Sequence, residues 1–413
     1  MIAAVPVVMI ALFAALPAGA VADAAQAWGQ TPGSALGRAP RLALSRAWGL
    51  PLASEPRSGL SPASGPRLGK APKPPFAERA RLASHSLLVD VTAAGQRLVA
   101  VGERGHVVLS DDRGNSWVQA DSVPARALLT GVCFSDPLHG VAVGHDEVIL
   151  TTRDAGRTWT LAHFAPESQQ PLLDVACVSA ARVIAVGAYG AYFTSADGGA
   201  TWVSQKFSAK AAGAGAGVNA RAGDDLGRDL HLNRIVAASS SRLYIAAEGG
   251  RLYRSDDGGD SWHELPSPYE GSFFGVTPLG GDVVLACGLR GNLFRSEDAG
   301  VTWRRVETGT HATLNDAVMV GGGAGSGVGS DVGPGGRAGV GGSGGAASGA
   351  GSVAVVGLSG VVLVSHDSGK SFVLMQQDDR KGLSAAMDGG GDALVVVGEG
   401  GAKVVSAAIA VTP

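Results

Sequence analysis

The chain has 413 residues and a formal net charge of -3, which excludes a globally basic surface for nucleic acid. Hydrophobic residues make up 45%, enough to build a large core and to exclude a wholly disordered chain. Three cysteines, Cys133, Cys177 and Cys287, are too few for a disulfide scaffold and read as buried small hydrophobes in strands.

The first 22 residues carry no charge before Asp23. Ile2–Leu16 is apolar, and Ala18-Gly19-Ala20 and Ala20-Val21-Ala22 are small-residue sites, so 1–22 reads as a secretory signal peptide. An uncleaved anchor is the competing reading, since roughly 20 apolar residues can span a bilayer. Either way the remainder is expected to be exported, in a periplasm or lumen. Residues 23–75 are rich in Pro, Gly, Ala, Ser and Arg, with no sustained apolar period, and read as a flexible linker. The rest, 76–413, holds 26 basic and 34 acidic residues, a net charge of -8.

Internal repeats decide the fold. Ser110-Asp111-Asp112-Arg113-Gly114-Asn115-Ser116-Trp117 has the form S-x-D-x-G-x-[ST]-W. It recurs at Thr152–Trp159, Ser195–Trp202, Ser255–Trp262 and Ser296–Trp303, and as Ser365–Phe372. Its aspartates are Asp112, Asp154, Asp197, Asp257, Asp298 and Asp367, and its tryptophans are Trp117, Trp159, Trp202, Trp262 and Trp303. Five of the seven tryptophans thus stand at one position. Eight residues ahead of each leading Ser or Thr stands a Gly-x-x-Gly element and an apolar run, with Ala247 in place of the first glycine once and Glu147 in place of the second once. Gly398…Gly401…Ser406 gives a seventh copy without the box. Successive leading positions are 42, 43, 60, 41, 69 and 41 residues apart, so two insertions, about 208–232 and 321–352, lengthen a unit of about 42.

Each unit holds four short apolar or alternating runs split by Gly, Asp and Pro turns, as in Leu129–Phe134, Val141–Val143, Val148–Thr152 and Trp159–Ala162. Four strands in about 42 residues make one propeller blade. The expected fold is all-β: a seven-bladed β-propeller with four-stranded blades over 76–413. Only seven residues follow Ser406, so the last blade lacks its outer strand. Phe76–Leu82 is expected to supply it and close the ring, with Phe76 in the place of a box tryptophan. In the box, Asp should accept turn N–H bonds, Gly should supply a backbone angle a Cβ forbids, and Trp should pack between blades. The six aspartates therefore read as structural.

The boxes resemble the Asp-box, or bacterial neuraminidase, repeat. The longer stretch from Leu129-Thr-Gly-Val-Cys-Phe-Ser-Asp136 through His139-Gly140-Val-Ala-Val-Gly144 to Trp159 resembles the photosystem II stability/assembly factor family, over about 85–406. That resemblance implies an exported seven-bladed propeller that binds proteins, in phototrophs during assembly of the photosystem II reaction centre, and a binding face that uses arginines.

The loops between second and third strands should form the face opposite the boxes. They carry Arg104, His145-Asp146, Tyr189, Glu248, Arg290, Ser359 and Glu399, and the loops leading into blades add Arg126, His311, Arg380 and Lys381. Arg104, Arg126, Tyr189, Arg290 and Arg380 are the candidate partner-binding residues, since Arg and Tyr anchor interfaces. The insertion near 208–232 brings Arg221, Asp224, Asp225, Arg228, Asp229 and His231 to the same side. A monomeric, non-enzymatic scaffold for a membrane-bound or periplasmic protein complex is expected, with no small-molecule substrate.

The alternative is a sialidase-like glycoside hydrolase or carbohydrate-binding propeller, because the boxes are shared. No Arg-Ile-Pro signature occurs, and of five tyrosines Tyr192 and Tyr253 lie in third strands as packing residues. The nine histidines show no ligand spacing, so no metal or cofactor is expected. Gly341–Gly345 matches G-x-S-x-G but lies in a Gly/Ala/Ser tract without a flanking strand and helix.

Overall fold

The computed structural model describes residues 75–211, 230–321 and 351–408. The leader, nearly all of the linker and most of both insertions lie outside these residues. The described chain forms seven antiparallel sheets, six with four strands and the last with three. The first strands of the blades are Leu88–Ala94, Leu129–Phe134, Leu172–Cys177, Leu232–Ala237, Phe273–Gly280, Leu314–Val320 and Leu383–Gly390. They line the centre of the ring, each against the next, and the last packs on the first through Leu88, Val91, Ala385 and Met387.

The box hairpin forms as expected in all six copies. In the first, Asp112 accepts the Ser110 and Ser116 hydroxyls and the Ser116 N–H, while Ser110 Oγ accepts the Gly114 N–H. Gly114 sits at φ +87°, a region closed to most side chains. These bonds hold the carboxylates of Asp112, Asp197 and Asp257 down at about 2, chiefly through the hydroxyls of Ser116, Thr201 and Ser261. Each box aromatic packs on the preceding blade. Trp117 lies on Val395 and Val397 of the last blade, Trp159 on Leu109 of the first, and Phe372 on Leu285 of the fifth.

The Gly-x-x-Gly element answers to the chain entering each blade. A Cβ on Gly102 would stand 2.1 Å from the Leu87 carbonyl oxygen, and one on Gly105, at φ +71°, 2.1 Å from that of Ala125. At these two positions the connecting segment presses on the turn so closely that only a bare Cα fits.

Three expectations are corrected. Cys133 and Cys177 are not separate apolar thiols: they form a disulfide between the first strands of blades two and three, with Cα atoms 5.7 Å apart. Adjacent first strands bring the two side chains into range. Cys287 is free and buried, as expected, and burial pushes its thiol up.

Phe76–Leu82 does not pair with the last blade. The Ala77 N–H donates to the Val123 carbonyl, the Ala80 N–H to Gln119 Oε1, and Arg126 Nε to the Phe76 carbonyl, so blade one holds the segment. Phe76 is 58% exposed and fills no tryptophan site. Beyond that segment, Ser84 and His85 lie over Gly401 of the last blade.

Finally, Gly398 pairs directly with Gly401 across the two-residue turn Glu399–Gly400, whereas blade six uses the three-residue turn Leu358–Gly360. The last strand, Gly401–Ser406, therefore slips by one residue. Val405, not Ser406, stands where Ser365 stands in blade six. A one-residue slip turns every side chain over. Val404 accordingly faces Gly114 of blade one, while Val405 packs against blade six.

Candidate protein-binding face

The second and third strands of five blades are joined by the same three-residue turn, centred on Arg104, Asp146, Tyr189, Arg290 and Ser359. The central residue lies at φ between +55° and +60° in all five. A left-handed residue at the tip of a tight turn throws its side chain clear of the sheet, and such strain in non-glycine residues is a mark of functional loops. Sequence repetition thus carries five non-glycine side chains to equivalent points on one face. Four of them, Arg104, Asp146, Arg290 and Ser359, are charged or hydroxylic; Tyr189 is aromatic and 44% exposed.

The candidate residues differ in what holds them. Arg104 and Arg290 are exposed on turn tips, and neither side chain enters an ion pair among the described residues. Arg380 is exposed on the loop into the last blade, at φ +48°, with its N–H bonded to the Gln377 carbonyl. Arg126 is tied: besides the Phe76 carbonyl, its guanidinium reaches Glu78. Tyr189 stacks edge-on against His231, with ring centroids 5.1 Å apart. His231 itself is buried beneath Tyr189 rather than displayed, its Nδ1 3.9 Å from Glu248. The other residues named in that insertion, Arg221, Asp224, Asp225, Arg228 and Asp229, lie outside the described residues.

One blade departs from the pattern. Glu147 takes the place of the second glycine, at φ +50°, and is buried. Its Oε2 lies 3.1 Å from Nε2 of His163 on the outer strand of the same blade, a bond that satisfies the buried carboxylate.

Sequence reasoning missed a charged cluster at the ring's centre. Arg234, on the first strand of blade four, reaches Asp316 of blade six at 2.7 Å, Asp174 of blade three at 3.5 Å and Asp90 of blade one at 3.9 Å. The carboxylates also accept backbone N–H bonds from the following blade: Asp90 from Val132, Asp174 from Ile235 and Asp316 from Ala386. A cavity of about 40 Å³ opens beside Arg234, Asp174 and Asp316. A signal was present: each of these four residues is a charge two places after a leading leucine, in a mostly apolar first strand. The cluster binds strands to one another. Every carboxylate oxygen in it that is described here is turned to a backbone N–H or to Arg234.

Tyr192 and Tyr253 are packed as read. Tyr192 donates its hydroxyl to the Gly259 carbonyl and accepts from the Trp262 indole, and burial pushes its phenol up to about 12.

A family model described as photosynthesis system II assembly factor YCF48 matches residues 109–263. No curated protein matches the chain. Among solved structures, YCF48 bound to D1 peptide is 14% identical, with 82% of this chain and 100% of that chain covered and a TM-score of 0.55. YCF48 from Cyanidioschyzon merolae is 14% identical over 78% of this chain and 95% of that chain, TM-score 0.54. The WD40 β-propeller domain of Doa1 is 10% identical over 80% and 95%, also at 0.54. At these identities the neighbours establish the propeller fold. The family-model match, from the third strand of blade one to the start of the outer strand of blade four, makes that part of the chain similar to YCF48.

Proposed function

We propose that this chain is a non-catalytic, exported, monomeric propeller that docks on a protein partner and serves as a scaffold or assembly factor for a membrane-bound or periplasmic complex. One observation carries the reading. Arg104, Tyr189 and Arg290 stand at equivalent left-handed turn tips of one face, joined by Arg380, with the arginines exposed and outside the ion pairs that bind other surface arginines. Arginine and tyrosine displayed on rigid turns suit recognition of an acidic or carboxylate-bearing peptide surface. The D1 peptide bound to the structurally similar YCF48 supports a peptide-bearing partner. Export is supported by the apolar leader and by the Cys133–Cys177 disulfide, a bond that persists in oxidising compartments.

The test is affinity capture from native envelopes with C-terminally tagged protein. The comparison is a variant with Arg104, Arg290 and Arg380 all replaced by Ala. Arg126 is left in place because it anchors the segment at Phe76. The expected result is one membrane or periplasmic complex enriched with the natural protein and at least tenfold less with the variant, at equal thermal stability. Equal capture by both proteins sinks the assignment of the face, and no enrichment with either sinks the docking role.

A further inference from the structure

The third strand of the last blade, Gly401–Ser406, is the outermost strand of its sheet among the described residues. Its counterpart in blade six, Val361–Ser365, pairs through Val361–Val364 with Val373–Gln376 and is buried throughout. By the register of the second strands, Gly401–Val404 hold the same four positions in the last blade. There Ala402 and Lys403 are half-buried and Val404 is 41% exposed. An edge strand turns part of its N–H and C=O groups outward, and these are the groups an added strand takes up. The recess has apolar walls. On one side Val373, 46% exposed, and Met375 stand opposite Val364 and Val362, toward the last blade. On the other, Ala83–His85 packs on both Gly401–Ser406 and Val118–Gln119, with the exposed Leu82 beside it. The charges around it are matched but for one. Lys403 meets Asp379, Arg79 meets Asp121 and Glu78 meets Arg126. Arg81 is exposed and enters no ion pair among the described residues. It stands three residues before Ser84, which lies over Gly401, so it marks that end of the recess.

We propose that this edge receives an extended segment of a protein partner, paired antiparallel to Gly401–Val404 as the fourth strand of the last blade. The walls and the unmatched charge define its chemistry. An antiparallel strand enters opposite Val404 and leaves opposite Gly401. Its second and fourth residues, opposite Lys403 and Gly401, point toward blade six, because Lys403 pairs with Val396, which packs there. Apolar side chains at those two places cover Val373 and Met375. Its C-terminal end arrives beside Arg81, where an acidic residue supplies the missing counter-charge. A second copy of the chain fits badly. The edge lies one strand inboard of Val118–Gln119 and Val373–Gln376, the outer strands of the two flanking blades. Two edges recessed in this way cannot approach to the roughly 4.8 Å that strand pairing requires. A single extended segment can. None of the turn-tip residues takes part in this surface.

Hydrogen–deuterium exchange on the full chain tests this with two capped synthetic peptides, Ser-Thr-Val-Thr-Leu-Glu-Glu and Ser-Thr-Val-Thr-Leu-Lys-Lys, at saturating concentration. The proteins compared are the natural chain and Arg81→Glu. Expected is exchange at 401–406 that is fast in the free natural protein and at least fivefold slower with the Glu peptide, with a smaller effect from the Lys peptide. In Arg81→Glu the order of the two peptides should reverse. Exchange in blades two to five should be the same in every sample, which shows that the variant folds. Exchange at 401–406 that is as slow as at 361–365 without any peptide overturns the proposal, because another part of the chain or a second copy then covers the edge. So does the absence of slowing with both peptides. Equal slowing by the two peptides in both proteins overturns the acidic partner.

Discussion

Arg234 and Asp316 meet at 2.7 Å across the centre of the ring, although blade five lies between their blades. Most contacts in a propeller join neighbouring sheets. This one, with the longer approaches to Asp174 and Asp90, joins blades one, three, four and six through a single guanidinium. Arg234 is 12% exposed and the three carboxylates less than that. The pairing therefore acts where water screens it least.

Replacing Arg234 by Ala strands three buried carboxylates. Removing one partner of a buried pair costs about 3–5 kcal/mol, because the remaining charge keeps its desolvation penalty. Urea unfolding of Arg234→Ala should show a loss of that size. A variant carrying Arg234→Met with Asp90→Asn, Asp174→Asn and Asp316→Asn should recover much of it, since no uncompensated charge is left in the cluster. A loss below about 1 kcal/mol in the single variant, the scale of an exposed ion pair, would show that the cluster holds nothing together.

The same cluster gives a pH signature. Burial raises the Asp174 carboxyl to about 6 against the pull of Arg234, and Asp316 moves in the same direction for the same reason. A carboxyl that binds its proton more tightly when folded adds stability as pH falls through the window from about 6 to its unfolded value near 3.8, and loses it as pH rises. Two opposing sets accompany it. The box aspartates held at about 2 lose their contribution only below pH 4. Burial lowers His106 and His145, which favours the fold as pH rises toward 6.5. The clean observable is thus a difference: the stability of the natural protein minus that of Asp174→Asn should increase from pH 7 to pH 4. A difference that stays flat or decreases over that range refutes the assignment.

What could be read from the chain, and what could not, divides along locality. The box was legible because Asp112, Ser110, Ser116 and Gly114 satisfy one another within seven residues, so the motif and its hydrogen bonds are one thing. Blade number followed from counting. The central cluster was hidden because a charge in a strand ordinarily marks a solvent face; only closure of the ring turns Asp90, Asp174, Arg234 and Asp316 toward one point. The place of Phe76–Leu82 was not legible because its partners, Gln119 on the outer strand of blade one and Arg126 on the loop into blade two, are single side chains that offer no periodic signal. The slip of the last strand depends on a turn shorter by one residue, at Glu399–Gly400, which the repeated glycines concealed.

The disulfide gives the third prediction. Cys133 and Cys177 are 44 residues apart in sequence and close a loop that contains most of blade two. Cross-linking a loop of that length limits the unfolded chain and adds about 4 kcal/mol. Both cysteines are buried, so reductant should act slowly on the folded protein and fast once urea opens it. Protein folded under oxidising conditions should contain one free thiol, that of Cys287, when titrated in denaturant. The Cys133→Ala, Cys177→Ala variant should unfold at a lower urea concentration, by an amount equal to the loss on reducing the natural protein. If the natural protein titrates as three thiols and reduction leaves its stability unchanged, the bond does not form, and with it falls one of the two supports for export.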